Sequence, residues 1–229
     1  MGSAFSSADV AALHEAADKG DVARLRVAVE KLAGNAKALN SPNAKAEGST
    51  ALLIASEKGK VGCVKVLLAA AGVDVNAANI AGATALIAAC AKGHSDVVKE
   101  LLAAPGINPN AVNKEGSTAL WVAACEGHAD CVKALLLQAQ SSSSSSSSTK
   151  VDVNLESHYG LLNAKEKKAA SKNKTPLFAA AANGRVDVVR LLLAQPEILV
   201  NKATWDGRTP LSATTLESIK TLLREKGAK

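Results

Sequence analysis

Two kinds of apolar stretch alternate along most of this chain, and a glycine separates them. The first kind is rich in Ala and Leu and follows a threonine, as in the segment TALIAACAKG that begins at Thr84. The second kind places apolar residues at positions i, i+3 and i+4, as with Val98, Leu101 and Leu102. This is the spacing of one face of an α-helix. We therefore predict pairs of short helices, in which the glycine ends the first helix in a left-handed conformation.

The threonine that opens the first helix recurs at a fixed interval. Thr50, Thr84 and Thr118 follow one another at 34 residues, as do Thr175 and Thr209, whereas Thr118 and Thr175 are 57 residues apart. A period in this range is typical of a repeat protein, and one helix pair cannot bury its apolar stripe without stacked neighbours. Proline follows the last two threonines. We expect threonine to cap the helix N-terminus and proline to occupy its first position, where no donor is needed.

The repeated segments resemble the ankyrin repeat. GATALIAACAKGH, GSTALWVAACEGH and KTPLFAAAANGR are similar to the signature of that family, whose core is T-P-L-H-x-A. The resemblance covers roughly residues 8–226. It implies an all-α fold: an ankyrin-repeat solenoid of stacked helix-turn-helix units with β-hairpin fingers and a concave binding face.

The repeat pattern divides the chain into one N-terminal tail, four full units and two caps. The more polar first unit and the shortened last unit are typical of terminal caps. The predicted boundaries are 1–7 for a disordered N-terminus, 8–39 for the N-terminal capping repeat, 40–75, 76–109, 110–153 and 154–200 for the full repeats, and 201–229 for the C-terminal capping repeat.

Two insertions break the rhythm. A serine-rich stretch at 141–150 follows the second helix of the third full repeat and has the composition of a flexible linker. A basic stretch at 155–173 lies within the next finger and is amphipathic enough to form a short helix. We interpret the second insertion as a regulatory or partner-specific arm.

Composition and the N-terminal sequence predict a protein without a membrane span, in a reducing compartment. No run of about 18 apolar residues is present, so no membrane span is expected. The N-terminus lacks the features of a secretory signal, and four cysteines without such a signal favour a reducing compartment. We expect a cytoplasmic protein, with the nucleus left open. MGSAFS also matches a myristoylation start at Gly2, although no second membrane anchor accompanies it.

The formal net charge is +6, and much of the excess lies in one loop. That loop carries five lysines against Glu166: Lys165, Lys167, Lys168, Lys172 and Lys174. We interpret it as a solvated basic loop. Binding of nucleic acid or another acidic surface through residues 165–174 is the alternative, although only Tyr159 lies nearby for stacking.

The sequence favours neither catalysis nor a cofactor. It contains no phosphate-binding glycine loop, no G-x-S-x-G and no consistently spaced carboxylate pair. Cys125, His128 and Cys131 have a spacing that invites a metal, but Gly127 separates the two helices there. We interpret the histidines and cysteines of the repeats as structural, and we predict no metal, no cofactor and no enzyme activity.

The resemblance also implies where a partner would bind, because ankyrin partners usually contact the finger tips and the exposed side of the first helices. Carried onto this chain residue by residue, and with two aromatic residues added, the predicted contacts are Glu57, Lys58, Ile80, Lys92, Lys114, Glu115, Trp121, Glu126, Phe178, Asn183, Trp205, Asp206 and Arg208.

The family's T-P-L-H histidine is replaced in five units, by Leu53, Ile87, Trp121, Phe178 and Ser212. Polar connections between units should therefore be weaker at this position, with apolar packing in their place. Trp121 and Phe178 fit either the core between repeats or a partner-binding surface. For Trp205, in a turn before Asp206, both an interface and packing on the adjacent unit remain open.

The sequence thus predicts a scaffold or adaptor that binds a partner protein on its concave face and finger tips, and that is monomeric outside a complex. Two alternatives remain open: the nucleic-acid or acidic-surface binder above, and a structural subunit of a larger assembly. Fold alone does not decide among them.

Overall fold

The computed structural model describes residues 6–141, 150–157 and 173–229, which form two units, 1–108 and 109–229. The lysines at positions 165, 167, 168 and 172 lie outside the described residues, as do Gly2 and most of the two insertions. The predicted short helix in 155–173 therefore stays a prediction. Ser6 is described, and it caps the first helix through a reciprocal pair of hydrogen bonds with Asp9.

Unit 1 consists of short helices joined by tight turns. First helices pack in one row, α1 on α4 on α6, and second helices in another, α2 on α5 on α7. The elements are α1 (Ser7–Lys19), α2 (Val22–Lys31), α3 (Ala36–Leu39), a 3₁₀ turn (Ala44–Ala46), α4 (Ala51–Glu57), α5 (Val61–Ala69), α6 (Ala85–Lys92) and α7 (Ser95–Leu102).

Unit 2 repeats the arrangement. Its first helices α8, α10 and α12 pack in one row, and α9, α11 and α13 in the other. The elements are α8 (Ala119–Glu126), α9 (Ala129–Ser141), α10 (Pro176–Ala182), α11 (Val186–Leu193), α12 (Pro210–Ala213) and α13 (Glu217–Glu225). The helix α9 continues to the first residue of the predicted serine-rich insertion. The predicted fold class, all-α with stacked helix-turn-helix units, is confirmed within each unit.

The first helix of each pair begins as the sequence predicts. Thr50, Thr84, Thr118, Thr175 and Thr209 all have extended backbones, and each side chain accepts a hydrogen bond from the backbone N–H three residues on. Proline occupies the first helical position after the last two. Each cap satisfies a backbone donor that the helix itself leaves unpaired, so the register of the first helices is set locally.

The predicted β-hairpin fingers are tight turns closed by backbone hydrogen bonds. Isolated antiparallel bridges join Asn43 to Ser49, Ala78 to Thr84 and Ser157 to Lys174, and the described residues contain no longer strand. The arms stay short because the chain must enter a helix cap immediately after each turn. Ser157 and Lys174, which pair across the base of this finger, flank most of the basic insertion in the sequence.

The glycines after the first helices serve two purposes. Gly59 and Gly127 have φ of +66° and +87°, which only glycine adopts without strain. A side chain of the next repeat also lies directly over each: His94 over Gly59 and Arg185 over Gly127. His94 Nε2 donates to the carbonyl of Glu57 at 3.0 Å, so the lack of a side chain at the glycine permits a hydrogen bond between repeats.

A recurring asparagine joins the first residue of each repeat to the loop at the end of the same repeat. The Nδ2 of Asn76 donates to the Gly106 carbonyl at 2.7 Å, and its Oδ1 accepts from the backbone N–H of Asn108 at 2.8 Å. The same two-bond arrangement, which we call the asparagine clamp, recurs at Asn40, Asn110, Asn154 and Asn201. The asparagine clamp thus supplies a polar connection between the two ends of a repeat that does not depend on the T-P-L-H histidine.

Apolar packing at the T-P-L-H position is confirmed where the residue is large and aliphatic or Phe. Leu53, Ile87 and Phe178 are all buried there, whereas Ser212 is exposed and completes the cap of α12. In the second helices, Val98, Leu101 and Leu102 are buried, as their spacing predicts. The interior is thus built from Ala, Val and Leu, so neighbouring helices can approach closely.

Candidate partner-binding surface

The finger tips are fixed by side chains within the turns. Asn79 Oδ1 accepts hydrogen bonds from the backbone N–H groups of Ala81 and Ala83, at 3.0 and 2.9 Å. Asn113 makes the equivalent pair of bonds in the next finger. Gly82 follows in a left-handed conformation and closes the turn. The tips therefore present their side chains from an ordered backbone, which lowers the entropy lost on binding.

The last finger presents an aromatic residue. Trp205 is 59% exposed, in a turn closed by the hydrogen bond from the Thr204 N–H to the Arg208 carbonyl at 2.9 Å. Arg208 Nε donates to Asp206 at 2.8 Å. The Thr204 hydroxyl, and then Arg208, lower the pKa of Asp206, so this carboxylate is ionised at neutral pH. Of the two interpretations of Trp205 left open by the sequence, its exposure favours the interface.

Phe178 is not available to a partner, which corrects its place among the predicted contacts. Its side chain is only 2% exposed, because it enters the interior from the first turn of α10. Two cations cover the ring: Lys174 Nζ and Arg208 Cζ lie 5.8 and 5.7 Å from its centre. The Phe178 ring instead makes cation–π contacts with these two positive groups.

Trp121 is half-buried in α8. Its indole Nε1 is covered and has no hydrogen-bond partner among the described residues, so the ring's polar group points into the protein rather than toward a ligand. Only part of the ring can contribute to binding, and a role for Trp121 in a partner contact stays a prediction.

Arg185 lies beside α8, the helix that carries Trp121, and was not among the predicted contacts. Its Nε donates to the Cys125 carbonyl at 3.1 Å, and Asn183 Nδ2 donates to the Cys125 sulfur at 3.5 Å. Burial, followed by the charge of Glu126, raises the pKa of the Cys125 thiol. Arg185 takes the position that His94 occupies in unit 1, and that equivalence is the signal that could have identified it.

In unit 1, Glu57 and Lys58 line a groove of about 680 Å³ between α1, the 3₁₀ turn and α4. Lys58 Nζ lies 3.8 Å from Asp18 Oδ1, and the Glu57 backbone already accepts the bond from His94. These two consecutive predicted contacts therefore both line the groove beside the 3₁₀ turn of unit 1.

His14 forms part of the wall of the same groove and is buried. Its Nε2 donates to the Ser41 carbonyl at 2.9 Å. Burial lowers the pKa of His14, and the hydrogen bond to Ser41 opposes that shift. A lowered pKa in the folded state means that the unfolded chain binds the proton more readily, so acid favours unfolding.

We expect the His14 contribution to stability to be complete above its ordinary pKa of 6.5 and to decline as the pH falls below it. The measurement is urea unfolding of wild type and His14→Gln between about pH 8 and about pH 5. The glutamine amide can donate to Ser41 but does not titrate in this range, so the variant should lose less stability on acidification. Equal losses in the two proteins would contradict the assignment.

Ile80 and Lys92 are the other predicted contacts in unit 1. Ile80 is 66% exposed at a finger tip, and its backbone N–H donates to the Glu47 carbonyl of the preceding finger at 2.9 Å. Lys92 is exposed in the last turn of α6. Both positions are open to a partner.

The remaining predicted contacts lie in unit 2 and are exposed: Lys114, Glu115, Glu126, Asn183, Asp206 and Arg208. Each unit therefore carries its own set of accessible positions on fingers and first helices. Within the described residues there is no cluster of three His, Cys, Asp or Glu side chains able to hold a metal ion. Nor does that part of the chain include a helix of the length and apolarity that crossing a membrane requires.

Comparison with known proteins identifies the repeat. A family model described as ankyrin repeats (3 copies) matches residues 70–146 and 147–229, and the single ankyrin repeat model matches residues 47–80. The chain is also similar to the solved human ASB11 ankyrin repeat domain, with 25% identity and a TM-score of 0.70 over 95% of this chain and 84% of that one. The comparison with curated proteins gives no match. Since the family models cover most of the sequence, this chain belongs to the ankyrin-repeat family.

Proposed function

We propose that the protein is a non-catalytic scaffold or adaptor that binds a partner protein on the fingers and adjoining first helices of unit 2. Ankyrin repeats are generally protein–protein interaction modules, and the family is generally non-catalytic. The observation that carries the proposal is the exposed Trp205 on its ordered turn.

Trp205 keeps 59% of its surface accessible to a partner. An aromatic side chain buries on the order of 150–250 Å² when it is fully covered, and tryptophan is enriched among the residues that dominate binding energy. The turn is closed by Thr204 and Arg208, so binding would not first have to order the backbone. Trp205 is therefore the proposed anchor of the interface.

Charged groups lie on the same fingers as the proposed anchor, as in the polar rim of an interface. Asp206 and Arg208 pair beside it, and Lys114 and Glu115 are exposed on the tip of another finger of the same unit. These charges would orient a partner and exclude mismatched surfaces more than they would add affinity.

The test is affinity capture from native lysate, with and without added nuclease, using wild type and Trp205→Ala. We expect a protein that is retained by wild type and weakened in binding to the variant by about 2 kcal/mol or more, on the order of 30-fold in Kd. Kd is then measured with the purified partner by titration calorimetry.

Leu137→Ala is the matched control, because Leu137 is also a large exposed apolar residue but lies on the second helix α9. The control should bind like wild type. If Trp205→Ala retains the partner at full affinity, the proposed anchor is wrong. If capture disappears on nuclease treatment, the basic-loop alternative replaces the proposal.

A further inference from the structure

The residue immediately before the first-helix cap changes character along the chain. In three repeats it is small, Ser49, Ala83 and Ser117, whereas in the last two it is basic, Lys174 and Arg208. Ser117 is buried and its hydroxyl contacts that of Ser157 at 2.9 Å, so at this finger base the small residue packs inward. The two basic residues instead carry charge at the base of the last two fingers.

The two cations are held at one place. Both rest on the Phe178 ring, with Lys174 Nζ 5.8 Å and Arg208 Cζ 5.7 Å from its centre. The Lys174 backbone is paired with Ser157 across the finger base, and the Arg208 backbone is paired with Thr204. One short segment of a bound chain can therefore reach both charges without rearrangement of the backbone.

Arg185 adds a third positive group, which lies beside Cys125 because its Nε donates to the Cys125 carbonyl at 3.1 Å. Lys174 also acts electrostatically on the Cys125 thiol. Among the described residues, no carboxylate lies within ion-pair distance of Lys174 or Arg185. Arg208 gives its Nε–H to Asp206, and its side chain is exposed, so its terminal nitrogens can meet a second acceptor. We call Lys174, Arg185 and Arg208 the basic cluster.

We infer that the basic cluster binds carboxylate side chains of an acidic, Asp- or Glu-containing segment of the partner protein. This inference rests on the proposed function and names the chemistry of its ligand. Carboxylates accept charge-assisted hydrogen bonds from ammonium and guanidinium groups, and the acidic segment would lie beside Trp205, whose ring supplies the apolar contact.

The surroundings favour a peptide carboxylate over a nucleic acid. Single-strand binders stack bases on exposed aromatic rings, but Phe178 is buried and Trp121 is half-buried. The carboxylates of Asp206 and Glu126 also lie close to the cluster, and they would repel a continuous line of phosphates. A segment with a few discrete carboxylates can place them on the cations and avoid the acids.

The test uses the full chain and fluorescence anisotropy with three labelled probes: a Glu- and Asp-rich peptide, the same peptide with Gln and Asn in place of the acids, and a single-stranded DNA oligonucleotide. We expect binding of the acidic peptide that weakens with added salt, and little binding of the neutral peptide. Lys174→Gln combined with Arg208→Gln should weaken acidic-peptide binding roughly tenfold. Lys133→Gln, at an exposed lysine on the second helix α9 of the same unit, should not change it. Equal binding of the neutral peptide, or tighter cluster-dependent binding of the DNA, would overturn the inference.

Cys125 reports the location of the peptide, because the other three cysteines are buried and Cys125 is only partly so. A peptide bound at the basic cluster should slow alkylation of Cys125, and an unchanged rate at saturating peptide would place the peptide elsewhere and refute the assignment. Failure here is distinguishable from failure of the proposed function. A partner that is lost with Trp205→Ala but kept at full affinity by the double glutamine variant would leave the interaction module intact and overturn only its acidic specificity.

Discussion

Replacing Leu102 with alanine is expected to lower the free energy of unfolding by about 2–5 kcal/mol. The side chain is 5% exposed and lies at the end of α7, among residues that hold the second helices together. Alanine removes three carbons from this interior and leaves a cavity, because neighbouring helices of a stack cannot collapse freely. The measurement is equilibrium urea unfolding followed by far-ultraviolet circular dichroism.

Leu137→Ala controls for the intrinsic effect of replacing leucine in a helix. Leu137 is 56% exposed on α9, so its loss should change stability by no more than about 0.5 kcal/mol. A loss below roughly 1 kcal/mol for Leu102→Ala would mean that the register of the second helix is wrong.

Asn76→Ala should cost about 1–3 kcal/mol, because it removes both hydrogen bonds of one asparagine clamp. The bonds join the first residue of the repeat 76–109 to the loop at its end, so the variant weakens the closure of that one repeat. Asn76→Asp keeps the acceptor for Asn108 but loses the donor to Gly106, so the loss should again be measurable. The free energy of unfolding of both variants is measured by urea unfolding.

Asn183→Ala is the comparison for the loss of an exposed asparagine. Its side chain donates to Ala179 in its own helix and to the Cys125 sulfur, and it takes no part in a clamp. The loss for Asn183→Ala should be clearly smaller than that for Asn76→Ala. Equal losses for the two variants would show that the clamp adds nothing beyond local hydrogen bonding.

The helices and turns could be predicted because their determinants are local. A threonine cap needs only the helix that follows it, as at Thr84 and Thr118, and a left-handed glycine such as Gly127 needs only the helix that it ends. The same local signals recur at a fixed interval, and this recurrence predicts the fold class because a fixed period is typical of stacked repeats.

The long-range hydrogen bonds could not be predicted in the same way, since each depends on an atom that is distant in the sequence. Asn76 recurs visibly in the sequence, but nothing local indicates that its amide reaches Gly106. Arg185 occupies the position that His94 occupies in its own repeat. The longer arginine side chain fits there because it lies over Gly127, which has no side chain.

The sequence left two interpretations open for both Phe178 and Trp205, and the two side chains differ in exposure. Phe178 follows the helical direction of α10 into the interior, whereas Trp205 stands on a turn and is 59% exposed. The pairing of Lys174 and Arg208 over Phe178 also required the structure, because these residues are far apart in sequence. The accessible part of the predicted site in unit 2 is thus centred on the fingers.

The most direct test of the account is hydrogen–deuterium exchange of the full chain, free and saturated with the partner captured by wild type. We predict protection at the last finger, residues 204–208, and at the finger base, residues 173–175, because binding would cover Trp205 and the basic cluster. Protection confined to the second helices α9, α11 and α13, with the finger unchanged, would contradict the central claim that the fingers of unit 2 bind the partner.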